Sequence, residues 1–405
     1  MMVRSMQRLR TLAGRLRGFL RQPLGRSEDP FDGTLPLLLF LDDVYPVADR
    51  DSGSLTTLSY IQMFIDLGYR VVFAAVREFS PPQSQRGDLE NMGVTCVGPE
   101  QFSSIEELLE RKGECFAVCF LCRVVSGGRF FETVRQHCKS AKIIFDVLDL
   151  HFLRASRRAK VEAAEGDELR MNRIAERKAR ELELVRKADA SIVVSSFEKQ
   201  LLEKAVPGAL VWHFPLFREC PGRAAPFSTR SGIGYIGNFG FQANGDSVRY
   251  FLEEIWPLVR IRLPGAQFFI IGSAMPEEFR SLSTPGVIVV GHAPDLAEPL
   301  AKLRMTVAPI RWGAGAKGKV VSSLAHGIPC VASEIGAEGI DLVDGKHILI
   351  GRDPAHFAEQ IVRLHEDEVL WNALSEAGLA HVQEHHSFKA GRARMRKLLD
   401  EIGAP

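Results

Sequence analysis

A short glycine-rich segment with three cations is the first part of the chain where chemistry can be expected. Residues 311–319 read RWGAGAKGK, between the apolar run MTVAPI and an apolar stretch that begins VVSSLAHG. Glycines let backbone N–H groups approach an anion closely, and the N-terminus of a following helix adds partial positive charge. We therefore expect a phosphate or diphosphate to bind here. The segment is not a GxxxxGK[ST] Walker loop, and a flexible solvated turn is the alternative.

Alternating apolar runs and amphipathic segments predict the elements that position this loop. In the first half, LLLFLDD, VVFAAV, CFAVCFLC, KIIFDVLDL and SIVVSS alternate with helical segments such as SLTTLSYIQMFIDLGY. After a break rich in Pro, Gly, Ser and Arg, the same order resumes from GIGYIGN to HILIG. Buried strands flanking helices form parallel βαβ units. The prediction is an α/β fold of two Rossmann-like domains whose parallel sheets face each other across a ligand-binding cleft.

The chain divides into five predicted segments. Residues 1–30 form a basic amphipathic arm, 31–216 an N-terminal Rossmann-like domain, 217–231 a linker and 232–385 a C-terminal Rossmann-like domain. Residues 386–405 form a C-terminal helix, for which packing back on the N-terminal domain is one arrangement. The heavily charged stretch 154–187 is interpreted as a solvated helix with its sparse apolar residues on one face.

Composition and charge limit the partners. A net charge of +1 argues against a nucleic-acid-binding protein. However, residues 1–27 contain seven arginines and no acid, with apolar residues at helical spacing between them. Such a helix is typical of contact with anionic membrane surfaces. A disordered leader, a mis-assigned start codon and a helix docked on a partner protein are the alternatives. We expect a cytoplasmic protein, with peripheral association with the inner membrane face as an option.

The seven cysteines match no zinc-binding pattern. Three of them lie in the strand-like run CFAVCFLC, and we interpret the set as reduced core thiols of a cytoplasmic protein, with no metal site.

Consecutive motifs resemble the family-4 glycosyltransferases over residues 35–390. The stretches GYIGNFGFQANGD and VAPIRWGAGAKGKVVSSLAHGIPCVASEIGAEGI are similar to the donor domain of these enzymes. FLDDVYPVADRDSGSLTTL looks like the opening unit of the acceptor domain, and FDVLDLHFLR like the segment with the catalytic histidine. The resemblance implies the GT-B fold and retaining sugar transfer from a nucleotide-sugar, without cofactor or metal. The two lysines fit the branch that carries GxGxKxK.

The resemblance also assigns roles to individual residues. It implies catalytic roles for His151, Lys317 and Arg311. Donor-binding roles fall to Gly53, Ser54, Gly237, Asn238, Gly313, Gly315, Lys317, Gly318, Lys319, Ser322 and Glu338. Asp51, Arg123 and Asp149 are expected on the acceptor side, although Arg123 could equally form a surface salt bridge and His151 could be structural.

Two residues and one segment depart from the pattern of many relatives. Ser322 stands where an acid accepts hydrogen bonds from the ribose, and Ala314 where a second acid contacts the sugar. GYIGNFGFQANGD also lacks the usual cations. Glu338 is a candidate replacement for the ribose contact, because it follows a neighbouring strand of the predicted sheet.

The predicted function is a retaining glycosyltransferase. It would move a sugar from a nucleoside-diphosphate donor to a hydroxyl of a lipid-linked or polysaccharide acceptor by front-side attack. Ser322 and Ala314 favour the alternative, a catalytically inactive GT-B scaffold or binding subunit of a glycan-assembly complex. A GT-B epimerase would need clustered acids near the sugar, which the sequence does not show.

Overall fold

The computed structural model describes residues 29–47, 51–80, 83–293 and 296–405. The predicted membrane-binding helix of residues 1–27 lies outside these described residues. Residues 36–405 form one compact unit. It contains two sheets, of seven and six strands, in which the paired strands run parallel, so the predicted α/β class with two parallel sheets is confirmed.

The first sheet has the strand order β3-β2-β1-β4-β5-β6-β7. Its strands are β1 Leu37–Asp42, β2 Arg70–Ala75, β3 Thr95–Cys96, β4 Phe116–Cys122, β5 Lys142–Leu148, β6 Ala190–Val193 and β7 Val211–His213. The central strands β1, β4 and β5 are almost wholly buried. Helices cover both faces of such a sheet, which explains why these strands read as continuous apolar runs.

The second sheet has the order β10-β9-β8-β11-β12-β13. Its strands are β8 Gly232–Ile236, β9 Phe268–Ile271, β10 Val287–Gly291, β11 Leu303–Ala308, β12 Cys330–Ala332 and β13 Leu349–Ile350. The chain reverses its direction of progress across the sheet between β8 and β11, and ligands of open α/β sheets bind at such a switch point. The glycine-rich segment follows β11 directly.

Helices connect the strands of both sheets. In the first half they are Ser52–Asp66, Gln83–Asn91, Ile105–Lys112, Phe131–His137, His151–Val161, Glu168–Lys187 and Ser196–Ala205. In the second half they are Gln242–Tyr250, Trp256–Arg262, Glu277–Arg280, Ala297–Lys302, Gly318–Ala325, Glu334–Ala337, Pro354–Glu366, Glu368–His385 and Phe388–Glu401. A π-helical segment, Phe251–Ile255, joins two of these helices.

The C-terminal helix Phe388–Glu401 packs against the helix Ser52–Asp66 of the first half. Its Met395, Leu398 and Leu399 are fully buried in the core cluster that also contains Phe64. The end of the chain therefore completes the apolar core of the N-terminal half.

The charged stretch 154–187 differs from the sequence expectation, because it forms two helices instead of one. The first helix ends at Val161 and the second begins at Glu168. Ala163, between them, has a φ of 50°. A residue in the left-handed region ends an α-helix. Leu169, expected on the apolar face, is exposed.

The predicted linker 217–231 contains neither a strand nor an α-helix, but it is not a solvated connector. Phe217, Arg218 and Arg230 are buried in it. Arg230 is fixed by donating hydrogen bonds to the carbonyl groups of Leu300 and Leu303, at 2.9 and 3.0 Å. Composition alone missed this, because arginine is normally solvent-exposed.

Five of the seven cysteines are buried, whereas Cys115 is exposed and Cys220 is half-buried. All seven are free thiols. The interpretation as core thiols therefore holds for five residues. Among the described helices, none combines the length and apolar character needed to cross a bilayer.

Candidate functional site

The glycine-rich loop lies between the end of β11 and the helix Gly318–Ala325. The helix begins at Gly318, and Ser322 lies inside it. Lys317 is the N-cap residue, and its side chain makes no capping hydrogen bond. The first N–H groups of a helix have no acceptor within the helix. The loop thus presents a helix N-terminus at the carboxyl end of the sheet, where an anion can bind.

Gly315 connects this loop to the N-terminal half. Its φ is 67°, and a Cβ at this position would lie 2.9 Å from Cβ of Asp149, so glycine is needed here. The N–H of Gly315 donates a 2.8 Å hydrogen bond to Oε1 of Glu198, which is completely buried. The other carboxylate oxygen of Glu198 is buried without a partner among the described residues. Burial raises the pKa of the Glu198 carboxyl.

The Lys317 side chain folds back onto its own loop. Its Nζ donates to the carbonyl groups of Gly315 and Ala314, at 2.5 and 3.3 Å. The side chain is buried, and burial lowers the pKa of Lys317. Lys317 therefore shapes the loop, and its amine lies against the loop backbone.

Lys319 joins the glycine-rich loop to the loop after β8. Its Nζ donates to the hydroxyl of Tyr235 at 2.5 Å and to Oδ1 of Asn244 at 2.6 Å. Asn244 in turn donates to the carbonyl of Asn238 at 2.6 Å. Burial, with a smaller contribution from Lys317, lowers the pKa of Lys319 to about 7. The loop with the predicted donor residues Gly237 and Asn238 carries no cation of its own and is linked through Asn244 to the amine of Lys319.

His151 is the first residue of the helix His151–Val161, at the carboxyl end of β5. Its N–H donates to Glu181 at 2.9 Å, and the N–H of Phe152 donates to the second oxygen of Glu181 at 3.1 Å. Burial lowers the pKa of His151 to about 4, so the imidazole is neutral at pH 7. Its Nε2 lies 3.7 Å from Oδ1 of Asp149, which also pairs with Arg154.

The DSGS turn lies at the carboxyl end of β1. Asp51 caps the helix Ser52–Asp66 by accepting a hydrogen bond from the N–H of Ser54 at 2.8 Å. A Cβ on Gly53 would lie 3.3 Å from Nη2 of Arg123. Arg123 donates to Asp42 at 2.9 Å, and Asp42 is only 3% exposed. Arg123 therefore forms a largely buried ion pair, which differs from the surface salt bridge considered from the sequence.

The DSGS turn and the glycine-rich loop are in direct contact. A Cβ on Gly318 would collide with Oγ of Ser52. Together with the bond between Gly315 and Glu198, this contact brings the two halves together at the position predicted for the donor's diphosphate. Asp149 lies beside both Gly315 of this loop and His151, so the candidate histidine and the glycine-rich loop are neighbours.

Arg311, predicted to be catalytic, and Glu338, predicted to bind the donor, have partners away from the loop N–H groups. Arg311 is exposed and pairs with Asp246, so its charge is directed toward the helix Gln242–Tyr250. Both oxygens of Glu338 accept hydrogen bonds from Arg157 at 2.7 Å, and Arg157 also donates to the carbonyl of Gly313 at 2.9 Å. Glu338 is paired in this way because the first half of the chain supplies Arg157 next to it.

Four residues that shape the site were not predicted from the sequence, namely Arg157, Glu181, Glu198 and Arg218. A signal existed for Glu198, because SSFE fits the [ST]-x-x-[DE] capping box. Ser195 does cap the helix, but the Glu198 carboxylate reaches Gly315 instead of its own helix end. The other three carried no local signal. The described residues include no group of three or more His, Cys, Asp or Glu side chains arranged to hold a metal ion.

The comparisons with known proteins agree with this geometry. Residues 230–367, which include the second sheet and the glycine-rich loop, match the family described as glycosyl transferases group 1. The resemblance inferred from the motifs is thereby confirmed: the second half of the chain carries the signature of this glycosyltransferase group. Among curated proteins, no sequence matches the chain significantly.

Solved structures show the same fold over 70–92% of this chain. Sucrose-phosphate synthase from Thermosynechococcus elongatus is 16% identical with a TM-score of 0.69, covering 92% of this chain and 100% of that one. HepE from Anabaena, in complex with UDP and glucose, is 11% identical with a TM-score of 0.64, covering 91% and 100%. A TarM mutant from S. aureus, in complex with fondaparinux, alpha-GlcNAc-glycerol and UDP, is 15% identical with a TM-score of 0.53, covering 70% and 55%. The chain has the GT-B fold.

Proposed function

We propose that this protein is a glycosyltransferase that moves a sugar from a nucleoside-diphosphate donor to a hydroxyl group of a glycan or lipid-linked acceptor. The observation that carries the proposal is the convergence of three features at one edge of the two sheets. They are the helix N-terminus at Gly318, the lysines 317 and 319, and the neutral imidazole of His151. The first two stabilise a diphosphate, and the third can contact a sugar without adding charge.

The reaction needs the sugar C1–oxygen bond to the diphosphate to break while a bond forms from C1 to the acceptor oxygen. The acceptor proton passes to the departing diphosphate, whose negative charge the helix N-terminus and the lysines stabilise. We propose that these groups replace a metal ion and that no organic cofactor takes part. The configuration at C1 is retained by attack on the face that the leaving group departs from.

Three carboxylates near His151 have other roles in the structure, which supports this front-side course over a double displacement. Asp149 pairs with Arg154, Glu181 accepts from two backbone N–H groups, and Glu198 accepts from Gly315. A carboxylate nucleophile must be free to approach C1.

Donor binding requires the contact between the halves to loosen. Glu198 occupies the N–H of Gly315, and Ser52 touches Gly318. We propose that the diphosphate oxygens take the place of the Glu198 carboxyl on Gly315 when the two sheets separate at this edge.

Calorimetric titration with UDP, GDP and ADP, without added metal, tests the proposal. We expect binding of one nucleotide and an affinity loss of about tenfold or more in Lys317→Ala, because a buried cation beside the anion is removed. Lys346→Ala is the matched control, since Lys346 is an exposed lysine of the same half. Equal affinities of wild type and Lys317→Ala would refute the role of Lys317.

A second candidate function is a GT-B scaffold without turnover. It is favoured by the Glu198 carboxyl on the loop N–H and by the neutral Ser322 in place of an acid. Failure of all three nucleotides to bind would favour this candidate.

For the acceptor, the support is indirect. HepE was solved in complex with UDP and glucose, and the TarM mutant in complex with UDP, fondaparinux and alpha-GlcNAc-glycerol. The basic residues 1–27 fit a cytoplasmic enzyme at the inner membrane face. Deleting residues 1–27 should lower co-sedimentation with anionic liposomes, and unchanged sedimentation would remove the argument for a lipid-linked acceptor.

A further inference from the structure

Arg218 is a buried arginine that is not neutralised by a carboxylate of any described residue. It is only 8% exposed, and among the described residues it forms no ion pair. Its Nη1 donates to the carbonyl of Phe217 at 2.6 Å and its Nη2 to the hydroxyl of Ser52 at 2.5 Å, so both acceptors are neutral. Its Nε is buried without a partner. A buried charge is normally paired, and within the described part of the chain this guanidinium has no anionic partner.

The position of Arg218 shows where that anion would lie. Ser52 begins the 15-residue helix Ser52–Asp66, and Gly318 begins the helix Gly318–Ala325. A Cβ built on Gly318 would lie 3.3 Å from Nη2 of Arg218. The guanidinium therefore lies where the N-termini of two helices from opposite halves meet, and each N-terminus carries partial positive charge.

The backbone around Arg218 is fixed. Its N–H donates to the carbonyl of His386 at 2.8 Å, and the ring of His386 bonds the carbonyl of Leu216 at 2.8 Å. Phe217 packs against Gly391 of the C-terminal helix. This anchoring holds the side chain at the junction of the two halves and explains why a residue from the predicted linker reaches the site.

We propose that Arg218 binds a phosphate group of the donor, together with the hydroxyl of Ser52 and the N-terminus of the helix Gly318–Ala325. This inference rests on the proposed function and deepens it, because it adds a cation from outside both sheets to the diphosphate site. When the sheets separate, a phosphate oxygen enters between Ser52 and Gly318 and accepts from Nη2.

The protonation state agrees with this role. Burial lowers the pKa of Arg218 to about 10, and the nearby Tyr60 has a smaller, opposite effect. Arg218 therefore remains a cation at pH 7. A phosphate offers it a charged acceptor, and charge-assisted hydrogen bonds are about twice as strong as neutral ones.

Affinities of Arg218→Gln for UDP, GDP, ADP and inorganic pyrophosphate test the proposal, measured by calorimetry on the full chain. We expect pyrophosphate and the nucleotide bound by the wild type to lose about ten- to a hundredfold in affinity. The dependence of affinity on salt should become shallower, because one screened charge interaction is lost. Arg218→Lys, which keeps the charge, should recover part of the affinity. It is the test variant if Arg218→Gln does not fold.

Arg230→Gln is the matched control. Arg230 is also a buried arginine of the segment 217–231, but its Nε and Nη1 donate to backbone carbonyl groups. We expect this variant to lower the melting temperature while leaving the affinities of the folded protein unchanged. A purely structural role of Arg218 would give the same result in Arg218→Gln.

The outcomes separate this inference from the proposed function. If the wild type binds a nucleotide and both Arg218 variants bind it equally well, Arg218 does not contact the phosphate, while the proposed function stands. If pyrophosphate binds in an Arg218-dependent way but no nucleotide does, the anion site is supported and the proposed function fails. If the wild type binds none of the probes, both are overturned.

Discussion

The most direct test of the site's construction is the replacement of Glu181 by glutamine. Glu181 is 1% exposed and accepts two hydrogen bonds, from the N–H groups of His151 and Phe152. The residue before this helix, Leu150, provides no side-chain cap. Glu181, thirty residues further along the chain, therefore caps the helix that carries the candidate histidine.

The size of the effect follows from these two bonds. Glutamine has one carbonyl oxygen and turns an NH2 group toward the second N–H, so Glu181→Gln leaves one buried donor unsatisfied. Such a loss costs about 1–3 kcal/mol. Because each 1.4 kcal/mol is about a factor of ten, the first amides of the helix should open and exchange about ten- to a hundredfold faster.

Amide hydrogen exchange read by mass spectrometry on a peptide covering residues 150–156 is the suitable assay. It should be run at pH 8, because burial raises the pKa of Glu181 to about 7 and the carboxylate is then ionised. Glu183→Gln is the matched control: Glu183 lies on the same helix, is 40% exposed and forms surface ion pairs, which contribute little. Equal exchange at residues 150–156 in the two variants would refute the capping role of Glu181.

Two further predictions concern the contacts between segments distant in sequence. Burial raises the pKa of Glu198 above its ordinary value of 4.5, so the wild type loses stability as the pH rises above that value and the buried carboxyl must ionise. Urea midpoints measured at several pH values should therefore fall less with rising pH in Glu198→Gln than in the wild type. Parallel curves for the two proteins would contradict a raised pKa of Glu198. In Gly391→Val, the added methyl groups meet Met63 and Phe217, which should cost about 1–3 kcal/mol and lower the melting temperature. Gly87→Val, with open space around its Cβ position, is the control, and equal melting temperatures would show that the C-terminal helix is not packed as described.

The strands and the glycine-rich loop were predictable because their signals are local. β1, β4 and β5 are buried on both faces and therefore consist of continuous apolar residues, which cannot be mistaken for solvated segments. The parallel arrangement follows from helices between successive strands, and it places the ends of β5 and β11 on one edge of each sheet. The glycine-rich loop was predicted from its own glycines and cations, and His151 from the resemblance of FDVLDLHFLR to the segment with the catalytic histidine.

The partners of these residues could not be read from the sequence. Glu198 meets Gly315 across 117 positions, Arg218 meets Ser52 across 166, and Arg157 meets Glu338 across 181. Each is a charged residue of a type normally exposed to solvent, and its burial depends on how the two halves pack. The sequence therefore determined which backbone elements end at the site, because hydrophobic periodicity and glycine are local properties. Only the tertiary structure decided which charges are buried there, because burial and pairing depend on groups brought together from distant parts of the chain.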